Sequence, residues 1–135
     1  MHVAAITGYS GAGKSTLIAG LIRHYIARGM RVGAIKHTHH PLNEEHRGDT
    51  GRFSDAGADP VIIAREGEAV VFRAGGTSRV RFEQPRDLLA HFDTDIVLIE
   101  GFKETRDWLN VTVTADARPT VEAMAANLDR IWRAT

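Results

Sequence analysis

Gly8-Tyr9-Ser10-Gly11-Ala12-Gly13-Lys14-Ser15 decides the reading of this chain. The stretch meets the phosphate-loop pattern G-x-x-x-x-G-K-[ST] at every fixed position. Val3-Ala4-Ala5-Ile6-Thr7 before it reads as a short buried strand, and Thr16-Leu17-Ile18-Ala19-Gly20-Leu21-Ile22 after it opens a helix. A polyphosphate carries several negative charges and must be wrapped closely. Glycines let successive backbone N–H groups turn inward, and a helix N-terminus favours an anion. Lys14 supplies a mobile cation for the outer phosphates, and the Ser15 hydroxyl is suited to Mg²⁺. Nothing in this spacing selects a base or a reaction.

Working outward, residues 14–28 form an amphipathic helix with Leu17, Ile18, Leu21, Ile22 and Tyr25 at helical spacing and Gly29 closing it. Residues 31–36 read as a second strand, completing a β-α-β unit with a right-handed crossover. The polar residues 42–48 lack a period and read as a loop. Residues 49–58 read as a short helix capped by Asp49 or Thr50, and 60–64 as a third strand. Residues 68–72 and 78–82 suggest a hairpin joined across 73–77. Residues 85–92 read as a short helix with Pro85 in its first turn. An apolar strand at 95–101, a last β-like run at 110–114 and a closing helix at 119–133 complete the chain. The alternation predicts one α/β domain over residues 1–135. Its expected fold is three-layered and P-loop NTPase-like: a mostly parallel sheet, a β-hairpin insertion and helices on both faces.

Composition narrows the classes. The 135 residues suit one domain with a sizeable core. Acidic and basic residues number 17 each, so no net field draws the chain to nucleic acid or membrane. The absence of cysteine excludes disulfides and thiolate metal sites. No signal-peptide pattern and no run near the ~20 apolar residues of a membrane span is present. The expectation is a soluble cytoplasmic protein.

A phosphate loop needs an acid at the C-terminal end of a neighbouring strand to help hold Mg²⁺. Asp95 and Glu100 bracket the best candidate strand. Asp95 begins it and points away from the ligand edge, whereas Glu100 ends it beside Gly101, where open α/β sheets bind ligands. Glu100 is therefore the predicted partner of Ser15 at the metal. Lys36 and His37 end the strand after the first helix, which puts them beside the outer phosphate. Asp49, opening the next helix, can reach the same edge. Four of the seven histidines, His37, His39, His40 and His46, fall within ten residues. They read either as a transition-metal site or as a polar loop contacting phosphate or substrate.

Four runs together resemble the MobB family of P-loop proteins of molybdopterin-guanine dinucleotide biosynthesis. They are the loop through Thr16-Leu17, then Ile35-Lys36-His37-Thr38-His39-His40, Ala56-Gly57-Ala58, and Ile99-Glu100-Gly101-Phe102-Lys103. The resemblance covers residues 1 to about 103 and implies a GTP-binding, weakly hydrolytic, usually dimeric protein. It also implies Mg²⁺, molybdopterin as a further candidate ligand, and a MobA-like molybdopterin guanylyltransferase as partner. By position, Gly8, Tyr9, Ser10, Gly11, Ala12, Gly13, Lys14, Ser15 and Thr16 would bind phosphates, and Ser15 and Glu100 would serve Mg²⁺. Lys36, His37 and Asp49 would lie at the reacting or substrate-facing edge, and with Lys14 and Glu100 they make up the candidate catalytic residues. The chain is short for the family after Lys103. No Asn-Lys-x-Asp guanine-reading motif is present, so guanine preference is implied by the resemblance alone. A small-molecule kinase, a metal-delivery NTPase and a nucleotide-switched binding module stay open as alternatives.

Overall fold

The structure is a computed structural model that describes residues 1–9 and 13–134. Its first strand, β1 (His2–Thr7), leaves Ala4, Ala5 and Ile6 with no exposed surface, as expected of a strand covered on both faces. Helix α1 (Lys14–Ala27) starts at Gly13, whose φ of 81° is a left-handed conformation that favours glycine. Its apolar stripe from Leu17 to Tyr25 is buried. Arg28 is the C-cap, and Gly29 follows it at φ 83°. The Gly29 amide donates to the Ile26 carbonyl at 2.9 Å and the Met30 amide to Tyr25 at 3.1 Å. This pair of bonds is a Schellman closure.

Next come β2 (Val32–His37), α2 (Gly48–Asp55), β3 (Val61–Arg65), β4 (Glu68–Arg73) and β5 (Gly76–Arg81). A 3₁₀ helix (Pro85–His91), β6 (Ile96–Glu100), β7 (Leu109–Thr112) and α3 (Val121–Arg133) complete the order. The sheet has seven strands in the order β5-β4-β3-β2-β6-β1-β7. β3, β2, β6, β1 and β7 run parallel, and the hairpin β4–β5 is antiparallel.

All three α-helices share one face. There Leu17, Leu21, Phe53 and Leu128 meet Ala4, Ala34 and Leu98 of the strands. The other face is covered by Leu88 and Phe92 around the 3₁₀ helix and by Trp108 and Phe102, packed on Ala5, Ile35 and Ile99. Connections running from β1 toward the hairpin cross on the α-helical face, and those returning to β6 and β7 cross on the other. A single crossover handedness requires this.

Two local expectations change. α2 is capped by Arg47, not by Asp49 or Thr50, and no side chain caps it. The Thr50 hydroxyl instead donates to the Arg47 carbonyl at 2.9 Å, and Asp49 falls in the first turn. The hairpin closes across Ala74-Gly75 alone, because Arg73 pairs directly with Gly76. The expected short helix after Gln84 is present as a 3₁₀ helix; there the Glu83 and Gln84 amides donate to Asp87 at 3.1 and 2.9 Å. Those bonds hold the exposed Asp87 carboxyl below its usual pKa. Among the described residues no helix is long and apolar enough to cross a membrane.

Candidate functional site

The site lies at the C-terminal edge of β1, β6 and β2, where strand order reverses. β2 and β6 pair so that Lys36 stands opposite Glu100. Ala34 and Leu98, two residues earlier on each strand, pack in the α1-side core. By strand alternation Lys36 and Glu100 therefore project toward α1. The Lys36 ammonium donates to Asp49 Oδ2 at 2.6 Å and to Glu100 Oε2 at 2.8 Å. One cation thus joins two strands and the first turn of α2.

The cluster is largely withdrawn from water. The Glu100 side chain is 9% exposed, and those of Lys36 and Asp49 are 23% and 28% exposed. Burial alone would depress the Lys36 pKa, but the two carboxylates outweigh it and hold it above its ordinary value. Burial would likewise raise the Asp49 carboxyl. The hydrogen bond and charge of Lys36 prevail, helped by a bond from the Ser15 hydroxyl and the charge of Arg52, and leave it below the usual range.

Ser15, Asp49 and Glu100 offer the hard oxygen donors that suit Mg²⁺ beside a polyphosphate. Glu100 Oε1 is buried and, among the described residues, has no hydrogen-bond partner. A buried carboxylate oxygen left in that state is costly, so the residues present fit a divalent cation or its water. Lys14 lies folded back, its ammonium donating to the carbonyls of Gly8 at 2.7 Å and Tyr9 at 3.3 Å. Thr16 accepts a bond from Arg52 at 3.4 Å, which ties the start of α1 to α2. Ser10, Gly11 and Ala12, expected in the phosphate cradle, lie outside the described residues.

His37 is not part of this group. It follows Lys36 in the strand and so faces the opposite side of the sheet. Its ring stacks on Phe102 with centroids 4.1 Å apart and meets His39 edge-on at 4.9 Å. Burial first, and His39 second, lower its pKa, which favours the neutral imidazole. His37 thus ends β2 at the same sheet edge but on the face opposite Lys36, apart from the Lys36–Asp49–Glu100 group. His46 has gone elsewhere again, stacked on Phe72 at 4.1 Å with its Nε2 against the Ser54 hydroxyl. The histidines therefore do not converge. Among the described residues no group of three or more His, Cys, Asp or Glu side chains is arranged to hold a metal ion. Asp95 sits at the far edge, accepting from the Arg31 amide at 2.8 Å.

Two features escaped the sequence reading. Phe102 has φ 52° directly after Gly101 at φ 101°, so the chain reverses in two left-handed residues as soon as Glu100 is delivered. Such backbone is costly for a bulky residue and is concentrated at functional sites. Second, Arg118 lies over Gly13, the glycine at the head of α1. No local motif marks Arg118. The rule that loops leaving the C-terminal ends of strands surround the ligand was the available signal, since this loop follows a strand beside β1.

Comparison with known proteins agrees with this architecture. A family model described as "Molybdopterin guanine dinucleotide synthesis protein B" matches residues 3–129. A molybdopterin-guanine dinucleotide biosynthesis adapter protein of Haemophilus influenzae is 42% identical over 108 residues, spanning 73% of this chain and 56% of that protein. A putative adapter protein of the same name from Methanocaldococcus jannaschii is 35% identical over 112 residues, spanning 82% of this chain and 45% of that protein. The chain thus spans about half the length of these curated relatives. The crystal structure of Bacillus subtilis MobB superposes with a TM-score of 0.50 at 23% identity, covering 89% of this chain and 75% of that one, a likeness of fold. With the family model matched from the first strand into the last helix, the chain belongs to the molybdopterin guanine dinucleotide synthesis protein B family.

Proposed function

We propose that this chain binds GTP with Mg²⁺ at the β1–β6–β2 edge and hydrolyses it slowly. In this reading it acts as an accessory protein of molybdopterin guanine dinucleotide formation, beside a MobA-like molybdopterin guanylyltransferase. The observation that carries the reading is the Lys36–Asp49–Glu100 cluster placed beside a strand–loop–helix unit of phosphate-loop sequence. A bound cation would add Lewis acidity and charge neutralisation at the outer phosphates. Ser15, Asp49 and Glu100 would hold it or its waters. Lys14 would leave the Gly8 and Tyr9 carbonyls for the phosphate chain, and Lys36 would stand ready as a second cation beside the transferring group.

The adapter role of the relatives supports the pathway assignment. Homodimer formation belongs to the same reading: β5 is an edge strand of the sheet, exposed along nearly its whole length, and such an edge can pair with a second copy. The same reading makes the protein cytoplasmic.

The test is calorimetric titration with GTP, ATP and molybdopterin, each with and without Mg²⁺, followed by turnover assays. GTP should bind in a Mg²⁺-dependent way, and Lys14→Ala should abolish binding. Glu100→Gln should lower turnover while leaving some binding. Strong ATP binding without GTP binding removes the guanine assignment. Rapid phosphate transfer to a pterin or another small acceptor turns the reading into a kinase.

A further inference from the structure

We propose that Arg118 is a nucleotide-binding residue, gripping the phosphate chain from the β7 side of the loop, opposite the Lys36 cluster. The inference rests on the reading of Gly8 to Ser15 as a triphosphate site and adds a binding group to it.

The architecture brings Arg118 there in steps. β7 pairs with β1 up to Thr7 opposite Thr112, and the Val113 amide then donates to the Thr7 carbonyl at 2.8 Å. The two chains leave the sheet side by side. They touch at once, because a β-carbon on Gly8 would overlap the Val113 carbonyl oxygen. Thr114 turns the chain back: its carbonyl and hydroxyl accept from the Ala117 amide at 3.3 and 3.1 Å. From the other end, Thr120 caps α3 by accepting from the Ala123 amide at 3.1 Å. Val121 packs so closely on Gly20 of α1 that a methyl group there would collide with it. Arg118 is therefore held between a turn and a helix docked on α1. A β-carbon on Gly13 would overlap the guanidinium and lie 2.7 Å from Arg118 Cδ.

Charge makes the placement informative. The guanidinium rests against the start of α1, the positive end of a helix dipole, with the Lys14 ammonium beside the same loop. Among the described residues Arg118 makes no ion pair and no hydrogen bond. Arg52, the other arginine at the start of α1, is by contrast engaged with the Thr16 hydroxyl. Asp49 and Glu100 serve Lys36 on the far side of the loop, and two cations beside one positive helix end repel one another unless they share an anion. Across the loop, Glu100 Oε1 is buried and, among the described residues, unpartnered, an oxygen that suits a hard cation on a phosphate chain. The carboxylates and any hard cation sit on the β2–β6 side, so the outer phosphates belong there. Arg118, on the β7 side, meets the phosphate nearer the nucleoside.

The test compares Mg²⁺–GTP with inorganic triphosphate, which has no nucleoside, by calorimetric titration of wild type, Lys14→Ala, Arg118→Met and Arg118→Lys. Arg118→Met keeps the stem and drops the charge. It should weaken both ligands about tenfold, as loss of one exposed charge-assisted contact does. Arg118→Lys should lose less, and the melting temperature of the ligand-free variants should match wild type. If Arg118→Met binds both ligands like wild type while Lys14→Ala binds neither, the Arg118 assignment is wrong and the loop reading stands. Weakened GTP with unchanged triphosphate also overturns the phosphate contact. If wild type binds neither ligand, the loop reading itself fails.

Discussion

Replacing Lys36 by Met tests the physics of the cluster. The substitution keeps most of the stem and removes the ammonium that lies 2.6 Å from Asp49 and 2.8 Å from Glu100. Two carboxylates that shared one cation would then face each other, and Glu100 is almost wholly buried. Removing one partner of a fully buried ion pair costs about 3–5 kcal/mol. Here Lys36 and Asp49 each keep about a quarter of their exposure, and water screens part of the repulsion. The expected loss is about 2 kcal/mol at pH 7, roughly 8 °C in melting temperature for a domain of this size. The sign with pH follows. In wild type the Asp49 carboxyl is depressed below 3.8, so its contribution is complete above that value and fades as pH falls through the depressed one. In the variant the pair repels, one carboxyl rises, and protonation relieves the strain. The Lys36 contribution, with its pKa raised above 10.5, persists until pH rises through that higher value. Urea unfolding of both proteins from pH 4 to pH 9 should therefore show a gap that is constant from neutrality to pH 9 and closes toward acid. A Lys36→Met/Glu100→Gln double variant should recover much of the loss. A gap under about 0.5 kcal/mol, or one independent of pH, would refute this account of the cluster.

Two further outcomes are expected. Gly101→Ala places a methyl group 2.7 Å from His37 Cβ at φ 101°, so it should destabilise by about 2–4 kcal/mol through overlap and left-handed strain; urea unfolding at wild-type stability would contradict the turn geometry. His37 and His46 both have pKa values below 6.5, chiefly through burial; their neutral forms stabilise the fold above 6.5, and that contribution should drain away as pH falls through the lower folded-state values, at up to about 1.4 kcal/mol per pH unit and proton. A His37→Gln/His46→Gln variant should show a shallower slope between pH 7 and 5, and an unchanged slope would remove the histidines from the account.

The frame of the fold was readable because it depends on short-range rules. A buried strand, a glycine loop and an amphipathic helix announce a β-α-β unit, and Lys36 and Glu100 follow as the ends of adjacent strands. What escaped depends on parity or distance. Alternation within β2 settles that Lys36 and His37 cannot share a face, yet a view of the run as one cluster hides it. The cap of α2 departs from its local signal because Asp49, a favoured capping residue, is recruited by Lys36 instead. Ala74-Gly75 lacks the turn chemistry that would have announced a two-residue hairpin. Arg118 reaches Gly13 from more than a hundred positions away, through a turn, a cap and the packing of α3 on α1, and no local pattern encodes that path.

The position of β6 between β1 and β2 has a consequence for amide exchange. Lys36 and Glu100 ride on inner strands, paired on both sides, so their amides should exchange only when the sheet as a whole opens. Asp49 rides on a helix of eight residues, and Arg118 on the exposed link between a turn and α3, so both should exchange through local opening. Exchange measured at the two sides of the candidate site should therefore differ: one side should exchange only with global unfolding, and the other many times within each such event.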